Sequence, residues 1–432
     1  MNRYSSKCFE AWLCCFVALA SPLHPQPGNT QEPSIPVTTT APPRSSKHCQ
    51  REIARAKRLL EGGSNGQAIA ILREVLREEP ENGDAQLLLG SALALVPERS
   101  KALKELQRAV ELRPSSALAH FTLGTAQARF GDSDAARRSF ERTLQLDPRF
   151  AEAHVSLAMI LGQQNELAPA REHLVRAIQL YGNTPQAAGS HYLLAQVLTE
   201  QNELETALKE LDKASSLQPS YAEAFLARGF IQKQQSNNAA AIAAFKKAAA
   251  LSPKDFDAQF ELGAAYLRDG YTSQAVAHLR RAAELKPGDR SALYQLCRAL
   301  QKAGKAEEAK ACEQELSARV KTGVAAAANE LTATQANNAG VDLEKVGNVA
   351  GALEKYRAAV RLNPTQIVFR RNLALALCRL GRWNEGIAEL RDVLEENPDD
   401  AEATKALYIA VENDHARKTT GNLSGKTQPE PK

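Results

Sequence analysis

The stretch Ala283–Asp289, AELKPGD, decides how this chain is read. Proline has no amide hydrogen to donate and its ring clashes with the preceding turn, so a helix running into Pro287 ends there. The same ending returns at Pro80, Pro114, Pro148, Pro219, Pro253, Pro364 and Pro398, and only the gaps after Pro148 and Pro287 are wider than the rest. The recurring step is about 34 residues, and a fixed period of this size marks a protein built by stacking one small unit.

Counting back from each proline exposes the unit. Twelve residues earlier stands a small side chain (Ala68, Ala102, Ala136, Ala207, Ala241, Ala275, Ala352, Gly386), and eight earlier a large apolar one (Leu72, Leu106, Phe140, Leu211, Phe245, Leu279, Tyr356, Leu390). A spacing of four places these on one helical stripe. Further upstream in each unit comes a leucine followed by a small residue, as in Leu89-Gly90, Leu123-Gly124, Leu262-Gly263 and Leu373-Ala374. Breakers such as FGDSD, KAGKAEE and LGRWNE lie between the two markers and supply the glycine and polar caps of a tight turn. Each unit is thus expected to be two antiparallel helices whose small residues let the axes approach.

The runs AEAHVSLA, LGAAYLRDG and QAVAHLRRAAELKP closely resemble the tetratricopeptide repeat (TPR) family. The resemblance covers ten units: 49–82, 83–116, 117–150, 151–187, 188–221, 222–255, 256–289, 290–323, 333–366 and 367–400. It implies an all-α fold, an α-solenoid of antiparallel helix pairs whose first helices line a concave groove. The fourth unit is three residues longer, which places a longer loop at LYGNTPQAA. The eighth has Lys321 in place of proline and Glu313 in place of the large apolar residue, so its second helix is poorly suited to continue the stack. Residues 324–332 follow as an insert, and a break near Gly323 is expected between a block of eight units (49–323) and a block of two (333–400). A capping helix over 401–413 and a disordered tail over 414–432 complete the reading.

The first residues, MNRYSSKCFEAWLCCFVALA, run from basic Arg3 and Lys7 through an apolar core to the small pattern Ala18-Leu19-Ala20, the order of a secretory signal (1–20) cleaved after Ala20. Residues 21–46 are rich in Pro, Thr and Ser and read as a disordered linker. Export to the periplasm or beyond is therefore expected, with a cytoplasmic location as the alternative. The apolar run is about half the length of a membrane span. Cys297 and Cys312, on the two helices of one unit, are candidates for a disulfide in an oxidising compartment, although small buried thiols are the simpler reading.

The 432 residues are 24% charged and 44% hydrophobic with a net charge of +4, close to balance, which argues against nucleic acid as a partner. His120, His154 and His191 recur at one place in successive first helices and read as packing residues rather than a metal ladder. Neither HExxH, nor paired cysteines, nor GxSxG, nor a phosphate loop occurs, so no catalytic residue, metal, cofactor or small-molecule substrate is assigned. What remains is surface. Phe121, Val155, Tyr192, Leu226, Phe260 and Tyr294 form a row just before the leucine marker, and Phe121, Tyr192, Phe260 and Tyr294 with Arg129, Gln196, Arg268 and Arg298 are the candidate groove for a peptide or partner helix. The competing reading is that these side chains complete packing within the chain. Function is expected to be a non-catalytic protein-binding scaffold in an envelope assembly. The alternative is a cytosolic adaptor or co-chaperone, against which stands the lack of a lysine-then-asparagine pair at places such as Phe121 and Thr125 or Tyr192 and Gln196.

Overall fold

A computed structural model describes residues 46–96, 98–398 and 400–421, so the proposed signal and nearly all of the linker lie outside the described residues. Twenty helices fill them, with no strand among the described residues. They run α1 Ser46–Glu61, α2 Asn65–Glu78, α3 Gly83–Ala94, α4 Arg99–Leu112, α5 Ala117–Arg129, α6 Ser133–Leu146 and α7 Ala151–Gln163. Next come α8 Leu167–Tyr181, α9 Ala187–Glu200, α10 Leu204–Leu217, α11 Ala222–Gln234, α12 Asn238–Leu251, α13 Phe256–Arg268 and α14 Thr272–Leu285. The last six are α15 Arg290–Lys302, α16 Ala306–Lys345, α17 Val349–Leu362, α18 Ile367–Arg379, α19 Trp383–Glu396 and α20 Ala401–Gly421. The chain forms two compact units, Met1–Leu285 and Lys286–Lys432, described separately below.

In the first unit the helices pair as the sequence pattern demands, α1 with α2, α3 with α4 and so on to α13 with α14. The large residue of each second helix (Leu72, Leu106, Phe140, Leu174, Leu211, Phe245, Leu279) has essentially no exposed surface. It is received by the small residue of the first helix: a side-chain carbon added at Gly124 would stand 2.8 Å from the Phe140 ring, and at Gly263 2.7 Å from Leu279. Such contacts are closer than van der Waals packing allows, so only a residue without a side chain fits there. First helices also touch one another, α1 with α3, α3 with α5, α7 with α9 and α9 with α11. They make the tighter, inner layer of this unit, the expected groove side of the solenoid.

The second unit keeps the same pairing in α16–α17 and α18–α19 but departs from expectation in two places. The expected break near Gly323 is absent, because residues 306–345 form one helix of 40 residues, about 60 Å long at 1.5 Å per residue. Alanine, the strongest helix former, recurs through the insert 324–332 and overrides one glycine. The capping helix runs on to Gly421 rather than stopping at 413, since no proline or glycine interrupts it earlier. Residues 414–421 of the expected disordered tail are therefore helical. Tyr408 stands in α20 at the register of Gly340 and Ala374 and is 66% exposed. Between the two alternatives left open for Cys297 and Cys312, the structure has the disulfide, which joins α15 to α16. Cys49 and Cys378 are free and buried.

Candidate functional site

The inner layer of the first unit is built residue by residue from one register. Phe121 on α5 is partly buried, its ring 4.8 Å from Phe150 and 5.6 Å from Phe140. Tyr192 on α9 is 7% exposed, with its ring 5.3 Å from Tyr221 and its hydroxyl accepting a hydrogen bond from Gln196 Nε2 at 2.8 Å. Phe260 on α13 is partly buried and stacks on Phe256 at 5.7 Å. Arg129 and Arg268 are exposed at the C-terminal ends of α5 and α13, where a cation also suits the helix dipole. Tyr294 (51% exposed) and Arg298, whose guanidinium lies 5.8 Å from the Tyr294 ring, belong to α15 in the other unit.

The expected row thus separates. Tyr192 is covered and acts as support, because Tyr221 closes over it. Phe121 is half covered by Phe150 in the same way. Both covering rings occupy the last position of their repeat. In four other repeats that position holds Asn82, Ser116, Asp255 or Asp289, whose side chain instead accepts the Ala85, Ala119, Ala258 or Ala292 amide and caps the next first helix. At these six repeat ends the last residue either caps the next helix or covers a ring of the preceding first helix.

The layer of first helices also contains a charged pair that no sequence motif marks. Lys233 on α11 reaches Glu261 on α13 at 2.6 Å, and its ammonium is 5.8 Å from the Phe230 ring. Glu261 is nearly buried, so its charge is held by this lysine. The only signal in the sequence was a pair of opposite charges 28 residues apart, at two successive inner helices.

Between the two helices of four of these pairs runs a row of polar clasps. Gln86 binds Glu105, His154 binds His173, His191 binds Glu210, and Gln259 binds His278, always 19 residues apart. The histidines are packing residues with a second task. His120 Nε2 and His154 Nε2 lie 3.1 and 3.2 Å from the carbonyls of Pro114 and Pro148, and Gln259 Nε2 donates to Pro253 at 3.2 Å. Donation from His154 Nε2 leaves its Nδ1 as an acceptor, so the 2.8 Å contact is a bond donated by His173 Nδ1. Burial lowers the pKa of both rings, Arg176 lowers that of His154 further, and the carbonyl of Pro148 opposes it. For Glu210 burial acts upward, but the bonds from His191 and Lys213 outweigh it and the carboxyl titrates below its usual range. Among the described residues no group of three or more His, Cys, Asp or Glu is placed to hold a metal, and no helix is long and apolar enough to cross a membrane.

Comparison with known proteins agrees with the helix pairing. Tetratricopeptide-repeat models match residues 53–117, 98–149, 121–183, 256–289 and 344–408, and a TPR-repeat model matches 195–236 and 231–270. Among solved structures the chain is similar to PilF of Pseudomonas aeruginosa (20% identity, 49% of this chain and 96% of that one, TM-score 0.44). It is also similar to PilW, a type IV pilus biogenesis factor (20%, 50% and 98%, TM-score 0.45), and to MamA (25%, 38% and 95%, TM-score 0.35). No curated protein sequence matches it. With the repeat models spread from Ile53 to Tyr408 and the small-residue, large-residue and proline register in its expected place, the chain belongs to the tetratricopeptide repeat family.

Proposed function

We propose that this chain is a non-catalytic, exported scaffold whose first unit holds a partner protein along its inner layer of first helices, within an envelope assembly. The observation that carries this reading is the inner surface itself. Half-buried rings at Phe121 and Phe260 lie about two turns before exposed Arg129 and Arg268 on the same helices, an apolar floor with a cationic end that suits an extended peptide or an amphipathic helix. Two features support export: the basic, apolar and small-residue order of residues 1–20, and the Cys297–Cys312 bond, a chemistry favoured in oxidising compartments.

The test is in-cell crosslinking of a C-terminally tagged chain, followed by mass spectrometry of both the partners and the chain's own N-terminus. Envelope proteins on a chain that begins near Ser21 are the expected result. Cytosolic partners on a chain that keeps Met1 would replace this reading with the adaptor. Within the captured complex, Phe260→Ala combined with Arg268→Glu should weaken binding at least tenfold, about 1.4 kcal/mol, while Tyr192→Ala should act through stability.

A further inference from the structure

Five helix pairs show how a first helix receives its second. Gly90 faces Leu106, Gly124 faces Phe140, Gly229 faces Phe245, Gly263 faces Leu279 and Gly340 faces Tyr356, always at one separation in sequence and always with the large side chain sealed. The pair α15 and α16 breaks this rule. Its small position is Cys297, and at that same separation stands Glu313, which is exposed and accepts a hydrogen bond from Gln301 Nε2 at 2.7 Å. The pair therefore has no apolar knob.

What occupies the vacant contact is sulfur. Cys312, one residue before Glu313, is bonded to Cys297, with the two residues' Cα atoms 5.5 Å apart, and the side chains are 7% and 3% exposed. Cys312 Sγ lies 3.6 Å from the Leu293 carbonyl, a packing contact since a bonded sulfur has no proton to donate. Beyond it α16 offers little else to α15: residues 313–315, 317, 318, 320–322 and 325–332 are exposed. On α15, which pairs with α16, Leu293, Leu296 and Leu300 are all buried.

We infer that the Cys297–Cys312 disulfide replaces the missing apolar knob, so that docking of the start of α16 on α15 is conditional on oxidation of the chain. Forming it converts two thiols to one disulfide, and the two electrons and two protons pass to a disulfide oxidant that becomes a dithiol. A dithiol reductant runs the same exchange backward. In the reduced chain α16 loses its anchor, and Leu293, Leu296 and Leu300 lose their cover. The helix pairs α16–α17 and α18–α19 keep their own knobs, Tyr356 and Leu390, and remain folded. This inference concerns the second unit alone and stands whether or not the first unit's groove binds a partner.

The experiment is hydrogen exchange on the full-length chain, oxidised and after reduction with a phosphine, with Cys297→Ser/Cys312→Ser as the permanently open form. Reduction should speed exchange in residues 290–318 by about a hundredfold, the effect expected of a closure over 15 residues, and leave residues 349–396 and 102–214 unchanged. The variant Cys297→Gly/Cys312→Ala/Glu313→Leu rebuilds the Gly–Leu contact seen at Gly90 and Gly263, and should restore slow exchange without any sulfur. Equal exchange in the oxidised and reduced chains would overturn the inference. So would loss of protection throughout 286–421, which would make the bond a support of the whole unit, or alkylation of both cysteines in the oxidised native chain.

Discussion

The two units solve one problem with different chemistry. In the first unit, the groove position of a first helix and the last position of its repeat hold Phe121 with Phe150 and Tyr192 with Tyr221. In the second unit the same two positions hold Arg371 and Asp400, joined at 3.0 Å. Stacked rings seal the surface without satisfying the next helix, and α7 and α11 accordingly have no side-chain cap at Phe150 and Tyr221. Asp400 does both tasks, binding Arg371 and accepting the Ala403 amide at 2.9 Å to cap α20. A second contrast lies at the knob: Phe245 is sealed in the first unit, whereas Glu313 is exposed and its task passes to sulfur.

The largest effect separates those two knob positions. Phe245→Ala empties a sealed contact against Gly229 and should cost about 3–5 kcal/mol in chemical denaturation followed by circular dichroism. Glu313→Ala, at the same register, should stay within about 0.5 kcal/mol in the oxidised chain. A similar loss at both sites would mean that position 313 contributes packing energy and that the two units are alike after all.

The same contrast separates what the sequence makes legible from what only packing decides. The prolines, the small residues and the large residues fixed helix, partner and phase for nearly every pair, because each is demanded by contact within one repeat. Cover over the groove was harder to read. Phe121, Tyr192 and Tyr294 occupy one register yet range from buried to half exposed, since the deciding side chain lies at the far end of the repeat and competes with helix capping. The continuous α16 escaped for another reason. An alanine-rich insert behind a single glycine, Gly323, prolongs a helix rather than ending it, so no stop is written at the repeat boundary. Lys233 and Glu261 became a pair only through the packing of successive first helices.

The next effect sharpens the contrast between ring and ion pair. Asp400→Ala removes a cap and leaves the guanidinium of Arg371, whose Nε already lacks a partner, without its nearest anion. A loss of about 2–4 kcal/mol from the second unit is expected by thermal denaturation. Backbone donation from Ala403 and the Arg371 charge hold the Asp400 carboxyl below its usual range. Its contribution is therefore present above the unfolded pKa near 3.8 and disappears as acid lowers the pH through the folded value.

Acid should act on the first unit earlier. His154 and His173 have lowered folded pKa values, so the unfolded chain takes up more protons as pH drops below the ordinary value of 6.5. Stability from this clasp is complete above that pH and lost as the pH falls through it and on to the folded values. His154→Gln copies Gln259, whose amide donates to Pro253 and accepts from His278. It should leave melting at pH 8 nearly unchanged and flatten the fall between pH 7 and 5. An unaltered pH slope would show that the clasp does not titrate in this range.

The smallest effect is expected at the outer rim, where charge again joins neighbouring pairs but in water. Arg171 on α8 reaches Glu203, before α10, at 2.7 Å, with the two side chains 38% and 41% exposed. Its geometry is as good as that of Arg371 with Asp400, yet solvent screens the charges and both side chains lose freedom in meeting. Arg171→Ala should therefore cost no more than about 1 kcal/mol and less at high salt, read as a shift in denaturation midpoint. If it matched Asp400→Ala, burial would not be what distinguishes the two ion pairs. The geometry of the seam between repeats would then carry the energy wherever it lies.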